Sequence, residues 1–206
     1  MTVSKILQEI CRKISDGTGG VLPVLANIAT VNDDDASFDK SSIIFSIVNI
    51  EEDKTLKNQS LYKKGIVNVN NIDSKEKYKK PAQHLIFSIL FSSYTKNTEQ
   101  YSDGISKLEQ VIRYLQNNNV FYFDDNDLYE QTEIPSEVSP DLFHKLILDL
   151  TSLKMEQLNQ MWSYLNNKYM PSVLYTMRLI RIQNEDVENV PVITNVKTEV
   201  VQKSIE

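Results

Sequence analysis

Apolar residues recur along the chain with two different periods, and each period predicts a different element. In residues 3–14 and 99–116 they recur every three or four positions, which is typical of amphipathic helices. In residues 84–92 and 142–150 apolar side chains occupy alternate positions, which predicts strands with one face against a core. Residues 42–50 form a nearly continuous apolar and β-branched run. That run predicts a strand buried on both faces.

The helix predicted at 99–116 has the most regular pattern. Its apolar positions are spaced alternately four and three residues apart, so they should form one buried stripe. These positions are Tyr101, Ile105, Leu108, Ile112 and Leu115. The helix predicted at 3–14 should stop at Gly17, Gly19 and Gly20, because glycine is a poor helix former. No Gly-Lys-Ser/Thr follows these glycines, so they indicate a loop rather than a phosphate-binding turn.

Weaker patterns lie between these elements. Residues 21–31, 61–71 and 120–123 are β-prone and are predicted to be strands. Four polar stretches are predicted to be loops: 32–35, 51–58, 75–80 and 124–140. The aspartates in two of them lack the spacing of a calcium loop, so a solvated turn is the simpler interpretation. The lysine-rich stretch 75–80 is either a solvated loop or a partner-binding patch.

Residues 152–182 combine a helix, a turn and a strand. Ser152 is expected to cap the helix, because its hydroxyl can accept from an amide of the first turn. The buried stripe of the helix should be Leu158, Met161, Trp162 and Leu165. In the strand 172–182, one face should carry Val173, Tyr175, Met177 and Leu179. Arg178 falls on the other face, where it should need a carboxylate or carbonyl partner in this chain or in a neighbouring subunit.

These elements predict an α+β fold. Strands cluster early and helices are scattered, which favours a mixed, mainly antiparallel sheet flanked by three or four helices over a doubly wound parallel sheet. Residues 1–183 should form one domain. Residues 184–206 show no clear period and are predicted to be an extended C-terminal arm, within which 190–201 is β-prone.

Composition narrows the function. The 206 residues include 22 basic and 28 acidic ones, and a net charge of −6 argues against binding to nucleic acid. Cys11 is the only cysteine, so the chain can form neither an internal disulfide nor a thiolate zinc cluster. The N-terminal residues lack the pattern of a signal peptide, and no apolar run has the length of a membrane helix. A soluble protein made in the cytosol is therefore expected.

No recognised catalytic or cofactor motif is present. His84 and His144 are isolated, without a second ligand at useful spacing, and packed or boundary positions are the simpler interpretation for both. No nucleophile elbow, zinc-binding helix or dinucleotide fingerprint occurs. A site assembled from distant residues stays open. The residues alone predict an α+β interaction domain that is not an enzyme and needs no metal or cofactor.

Four blocks of residues, at 47–58, 81–94, 101–121 and 158–182, carry a resemblance to a known family. The first holds an Asn-Ile-Glu-Glu turn with Asn49, Glu51 and Glu52, followed by Lys57 and Asn58. The last holds a Tyr-x-Pro-Ser-x-x-Tyr-x-x-Arg pattern made by Tyr169, Pro171, Ser172, Tyr175 and Arg178. In this ordered set the chain resembles the N-terminal domain family of the tail-terminator, or cap, proteins of extracellular contractile injection systems of the antifeeding-prophage and Photorhabdus virulence-cassette type.

The resemblance implies a structural role. Such proteins are similar to contractile phage tail terminators, and a ring of six copies is expected to cap the inner tube and sheath. The ring would end their polymerisation and hold the sheath to the tube. The implied partners are further copies, sheath and tube proteins, with no nucleic acid, small-molecule substrate or cofactor. The protein would be made in the cytoplasm and incorporated into a phage-tail-like particle, whether released or membrane-anchored.

The resemblance leaves the contact residues open. The ten motif residues would be interface or family-signature positions, although Trp162 and Tyr175 are expected to be core anchors. Strand edges or the arm could join a neighbour by strand addition. The charged loops 51–58 and 75–80 could set the register against tube or sheath. The alternative function is a cytosolic adaptor or chaperone-like binding module that acts as a monomer or dimer.

Overall fold

The computed structural model of the chain describes residues 2–31, 41–54, 62–63, 77–79, 83–124, 127–130, 133–134, 144–165, 168–182 and 187–189. The α-helices within these ranges are α1 (Val3–Thr18), α2 (Tyr101–Asn117) and α3 (Met155–Tyr164). The strands β1 to β10 are, in chain order, Val24–Leu25, Ser41–Glu52, Tyr62–Lys63, Lys77–Lys79, Gln83–Thr95, Val120–Phe123, Leu128–Glu130, His144–Thr151, Ser172–Ile182 and Val187–Asn189.

Seven of the strands form the main sheet, in the order β1-β2-β5-β9-β8-β6-β7. β1 runs parallel to β2, whereas the other neighbouring strands are antiparallel. The long strands β2, β5 and β9 lie side by side, with Phe45 opposite Phe91 and Phe91 opposite Val173. The predicted α+β fold with a mixed, mainly antiparallel sheet is confirmed, with three α-helices in the described part of the chain.

A second, smaller sheet has the order β10-β4-β3. Its central strand β4 falls in the lysine-rich stretch 75–80, so the prediction of a loop is wrong for Lys77–Lys79. β10 lies in the stretch predicted to be an arm and pairs antiparallel with β4, with Val187 opposite Lys79. Backbone pairing therefore connects the start of that stretch to the segment that precedes β5.

The first face of the main sheet, called the core face here, packs against α1 and α2. The alternation predicted for the central strands is confirmed, because Phe87, Ile89 and Phe91 in β5 are buried there. Tyr175, Met177 and Leu179 of β9 join the same cluster, together with Leu146 and Leu148 of β8. At its centre the ring of Phe91 stacks on Phe45 at 4.8 Å and meets the edge of Tyr175 at 5.7 Å.

Helix α1 is longer than its pattern predicts. Gly17 lies inside the helix, which ends when Gly19 adopts a left-handed conformation with φ of 73°. The amide of Gly20 then donates to the carbonyl of Ser15 at 2.9 Å, which satisfies one of the last helical carbonyls. Of the three glycines predicted to stop the helix, only Gly17 does not, and the prediction is wrong for that residue. A Cβ at this position would lie 2.2 Å from the ring of Tyr114, so glycine allows α1 to approach α2 closely.

The buried stripe of α2 differs from the predicted one. Leu108 and Leu115 are buried as expected, but Tyr101 and Ile105 are exposed. The buried face instead consists of Gly104, Leu108, Val111, Tyr114 and Leu115. The cause is Gly104, where a Cβ would lie 2.4 Å from Ser93 Oγ. Because this position packs directly on β5, the helix turns Tyr101 and Ile105 towards solvent.

Several weaker predictions need correction. Within 21–31 the strand is only Val24–Leu25, and Ile28–Thr30 form a 3₁₀ turn whose amide at Ala29 is capped by Asn27 Oδ1. β2 continues through Glu52, so the start of the predicted loop 51–58 is strand. β7 lies inside the predicted loop 124–140. The strand predicted at 120–123 is confirmed.

Other predictions fall partly or wholly outside the described residues. The acidic turn 32–35 and the residues Lys57 and Asn58 lie there. Of the strand predicted at 61–71, the described part is Tyr62–Lys63, which forms β3.

Helix α3 begins later than predicted. Its first residue is Met155, and the residue at its N-cap position is Lys154 rather than Ser152. The amide of Lys154 donates to the side-chain oxygen of Gln157 at 3.0 Å, which ties the start of the helix to its first turn. The predicted buried stripe is confirmed, because Trp162 is buried and Leu158, Met161 and Leu165 pack around it.

A polar cluster connects α2 to the start of β2. Asp103 accepts a hydrogen bond from Ser41 Oγ, and Lys107 Nζ lies 3.1 Å from the same carboxylate. Lys107 also donates to the backbone carbonyl of Ser41 at 3.0 Å. The hydrogen bonds from Ser41 and Lys107 lower the pKa of Asp103 below its ordinary value. The folded state therefore favours the ionised carboxylate.

We expect this cluster to make stability depend on acidic pH. Because the pKa of Asp103 is lower in the folded chain, its contribution is present above the ordinary aspartate pKa and disappears as pH falls through the folded value. Below about pH 4, the free energy of unfolding should therefore fall less steeply with decreasing pH in Asp103→Asn than in the natural chain. Denaturant titrations at a series of pH values measure this decline. Asp149→Asn, at an exposed position, is the control, and equal flattening in both variants would contradict the prediction.

Candidate interaction surface

Helix α3 covers part of the second face of the main sheet. Trp162 is the centre of a separate apolar cluster, whose buried members are Ile28, Val31, Ile44, Leu90, Tyr94 and Trp162. Met161 of the same helix, Leu165 at its C-cap and Leu174 of β9 pack against this cluster. This cluster explains why α3 is amphipathic although it lies on the opposite side from α1 and α2. It also confirms Trp162 as a core anchor.

A groove runs between α3 and this second face, and we call it the α3 groove. It consists of two depressions of about 290 Å³ and 310 Å³, which share Leu153, Met161 and Leu174. Further residues of the floor and walls are Ser88, Leu90, Gln157, Gln160 and Tyr164. The lining residues of both depressions are all uncharged. In a chain with 24% charged residues, such a lining favours an uncharged ligand.

Large apolar side chains are exposed beside this groove. Tyr164, at the last turn of α3, is 88% exposed, and Met155 at the first turn is 81% exposed. Tyr169 is 64% exposed, although its ring meets the edge of Trp162 at 5.8 Å. Leu150 is also exposed at the end of β8. Exposed aromatic and methionine side chains around a groove are typical of protein-binding surfaces.

The Asn-Ile-Glu-Glu motif lies in a strand and is not a turn. A β-bulge between Ile47 and Asn49 interrupts the pairing of β2 with β5, and pairing resumes with Asn49 opposite Ser88. Asn49 Oδ1 accepts the amide of Ile50 at 2.9 Å, and its Nδ2 donates to Glu51. Glu51 and Glu52 are exposed. Asn49 therefore stabilises the irregular backbone after the bulge, and its side chain also lines one end of the α3 groove.

β7 forms one edge of the main sheet, and side chains bind two of its backbone amides. In β7 the amide of Leu128 donates to Asp127 Oδ1 at 3.1 Å, and the amide of Glu130 donates to Glu133 Oε2 at 2.8 Å. Glu133 also forms an ion pair with Lys13, which is buried on α1. Since side chains already occupy these amides, β7 offers fewer free donors for strand addition.

The Tyr-x-Pro-Ser-x-x-Tyr-x-x-Arg motif is divided between packing and surface positions. The carbonyl of Pro171 accepts the amide of Ser93 at 2.8 Å, and Ser172 then starts β9 and lines the other end of the α3 groove. Tyr175 is buried in the core, as predicted. Arg178 is exposed, and within the described residues it makes no ion pair, so an intrachain carboxylate partner is not found there.

The described residues show no grouping suited to metal binding, and their lone cysteine is buried. No set of three or more His, Cys, Asp or Glu side chains among them could hold a metal ion. Cys11 is buried against the core, and burial raises the pKa of its thiol to about 12, so it stays protonated. His84 is buried in β5, and His144 lies 5.2 Å from the ring of Phe123 at the sheet boundary. No described helix is long and apolar enough to cross a membrane.

Sequence reasoning missed most of the α3 groove. The family motifs include Asn49 and Ser172 at its two ends, but none of the α3 residues that form its wall. The available signal is the spacing of Gln157, Gln160 and Tyr164, which places two amides and an aromatic ring on one helical face without a charge. The groove itself depends on the packing of α3 across three strands, which sequence periodicity does not specify.

This architecture defines a class: an α+β domain with exposed apolar side chains beside an uncharged groove on the second face of its sheet. Within that class, the chain belongs to the Pvc16 N-terminal domain family, whose sequence profile matches residues 2–195. The resemblance stated from the sequence motifs is therefore confirmed. The match continues past residue 182, where the motif blocks end, and it includes β10.

Two solved structures share the fold. The sheath/tube terminator of the PVC extracellular contractile injection system, in the extended state, is 14% identical with a TM-score of 0.60. The match covers 99% of this chain and 65% of that one. The tube-terminating cap of the anti-feeding prophage is 13% identical with a TM-score of 0.55, over 97% and 62% of the two chains. This chain thus spans less than two thirds of their lengths. No curated protein matches the chain.

Proposed function

We propose that the chain is a structural terminator, or cap, of a contractile injection system. The observation that supports it most strongly is the match to the Pvc16 N-terminal domain family over residues 2–195. The fold likeness to a sheath/tube terminator, which extends over 99% of this chain, supports the same role. In this proposal the protein binds the distal end of the inner tube and sheath, ends their polymerisation and holds one to the other.

The proposed assembly is a closed ring of six copies. Ring closure needs two different surfaces on each copy, so that each contact is made by unlike patches of adjacent subunits. The core around Phe45, Phe91 and Tyr175 keeps the main sheet rigid, which favours a fixed angle between neighbours. Glu51, Glu52 and Arg178 are exposed and are proposed positions of contact with copies, sheath or tube. Lys57 and Asn58 belong to the same proposed set of interface positions.

The proposed role is non-enzymatic and requires no cofactor, nucleic acid or small-molecule substrate. Its partners are copies of the chain and the sheath and inner-tube proteins. The protein would be incorporated into a phage-tail-like particle after synthesis in the cytoplasm. The exposed apolar side chains beside the α3 groove support a role in protein contacts. They fit an assembly component better than an isolated monomer.

We expect the purified chain to assemble into rings. Light scattering should give a mass near six times the 23.7 kDa of one chain, and electron micrographs should show sixfold particles. The physical reason is that each closed-ring contact is repeated six times, so that modest interfaces act together.

The same proposal is tested in particles. Deleting the gene should give tubes or sheaths of abnormal length, or unstable particles, and supplying the chain again should restore them. A chain that stays monomeric, does not co-purify with tube and sheath, and leaves particle length unchanged when deleted would rule out the terminator role. The adaptor alternative predicts a monomer or dimer and particles of unchanged length.

A further inference from the structure

The α3 groove has the chemistry of a site for an uncharged polypeptide segment. It is lined by the apolar side chains of Leu90 and Leu174 and by the side-chain amides of Gln157 and Gln160. Gln160 offers both a donor and an acceptor, and Gln157, whose Oε1 accepts the amide of Lys154, offers its Nε2 as a donor. These groups can pair with the C=O and N–H groups of an extended backbone. Neither depression is lined by a charge, so a charged segment would lose its hydration without gaining a partner.

The chain itself contains a segment of matching chemistry directly after β10. Residues 190–196 read Val-Pro-Val-Ile-Thr-Asn-Val and contain no charged residue. Valine, isoleucine and threonine favour extended backbone, and Pro191 holds its φ angle near −65°, which is compatible with an extended peptide. The charged residues resume only at Lys197 and Glu199. The segment is therefore short, uncharged and predisposed to the conformation that a groove along a sheet accepts.

We propose that residues 190–196 of one copy bind in the α3 groove of the neighbouring copy. The proposal rests on the terminator function above, because ring closure needs a contact between two unlike surfaces. The groove and the segment are such a pair, and every copy carries both. At Ile50 and in β7 the edge amides are already bound by Asn49, Asp127 and Glu133, so these edges are less suited to the same task. The segment leaves β10, whose pairing with β4 fixes its starting point.

Cross-linking between copies tests this placement. One variant carries Gln160→Cys on the groove wall, the other carries Ile193→Cys in the segment, and the mixture is treated with a short bismaleimide. The native Cys11 is buried, and the raised pKa of its thiol, about 12, keeps it unreactive in the folded chain. Docking raises the local concentration of the two introduced thiols, so a cross-linked dimer should form at least roughly tenfold faster than between undocked copies.

The matched control is Asn159→Cys in place of Gln160→Cys. Asn159 is the adjacent residue of α3, it is exposed, and it does not line either depression. Equal rates for the two helix positions would overturn the proposal. A chain that carries both Gln160→Cys and Ile193→Cys, diluted with unsubstituted chain, separates binding between copies from binding within one chain. A cross-link within one chain alone would also overturn it.

Ring assembly, measured on the same samples, tests the terminator function separately from the segment exchange. Sixfold rings with preferential cross-linking from Gln160 to residue 193 support both the terminator function and the segment exchange. Rings with no such preference overturn the segment exchange and leave the terminator function intact. Absence of any association between copies overturns both. Ile193→Asp adds an independent readout, because a charge in the segment should weaken ring assembly at least roughly tenfold if the segment occupies the uncharged groove.

Discussion

Replacing Phe91 by alanine is expected to lower the free energy of unfolding by about 3–5 kcal/mol. The side chain is 0% exposed and lies at the centre of β5, between Phe45 of β2 and Tyr175 of β9. Truncation removes the stacked contact at 4.8 Å and the edge contact at 5.7 Å together. Both neighbours are held by long strands and helices, so the surrounding side chains have little freedom to collapse into the cavity.

Denaturant unfolding, monitored through the fluorescence of Trp162, measures this loss. Trp162 lies in the cluster on the second face, so it reports unfolding without touching the mutated ring. Tyr164→Ala is the matched aromatic control, because its ring is 88% exposed, and its effect should stay within about 0.5 kcal/mol. If both substitutions cost the same, the assignment of Phe91 to the centre of the core is wrong.

The residues of the core face were predictable because their environment repeats with the period of the backbone. In β5 and β9 every second residue meets α1 or α2, and the alternating pattern at 85–91 and 173–179 follows directly from that contact. The same reasoning placed Trp162 and its neighbours on the buried side of α3. Period alone was sufficient where one face of an element packs evenly against one partner.

The spacing of apolar residues did not predict the structure where a single residue changes the local geometry. The bulge after Ile47 shifts the register of β2, so Asn49, Glu51 and Glu52 continue a strand that their polarity predicted to be a turn. At β7 the acidic residues around 124–133 indicated a loop, yet Asp127 and Glu133 cap the amides of a short edge strand. In both places polar side chains bind backbone groups instead of solvent, and composition does not distinguish the two cases.

The candidate surface was less predictable than the fold. Sequence motifs identified the family and two residues at the ends of the α3 groove, because a family signature records packing as well as contact. Tyr175 shows the packing part, since it is buried, whereas Tyr169 and Arg178 are exposed. The groove wall arises from the position of α3 over the sheet, and that position depends on long-range packing that no local pattern contains.

Substitution of Gly104 is expected to produce the second large loss of stability, and alanine should give the more informative result. In a helix interior, glycine to alanine ordinarily stabilises by about 1 kcal/mol. Here a Cβ would lie 2.4 Å from Ser93 Oγ and 2.6 Å from Thr95 Cγ2, so α2 or β5 must move. We expect Gly104→Ala to destabilise the fold by about 1 kcal/mol, and Gly104→Val to cost about 3 kcal/mol.

The sign of the alanine effect decides whether α2 packs on β5 as described. Ser93→Ala with Thr95→Ser removes the two atoms that the new methyl group would meet, while leaving both backbone positions unchanged. In that background Gly104→Ala should recover most of the helix gain, and the double-mutant cycle should show coupling of about 1–2 kcal/mol. Thermal or denaturant unfolding of the four chains measures it. If Gly104→Ala stabilises the natural sequence, the close approach between α2 and β5 does not exist. The exposure of Tyr101 and Ile105, which follows from that approach, would then have to be reassigned as well.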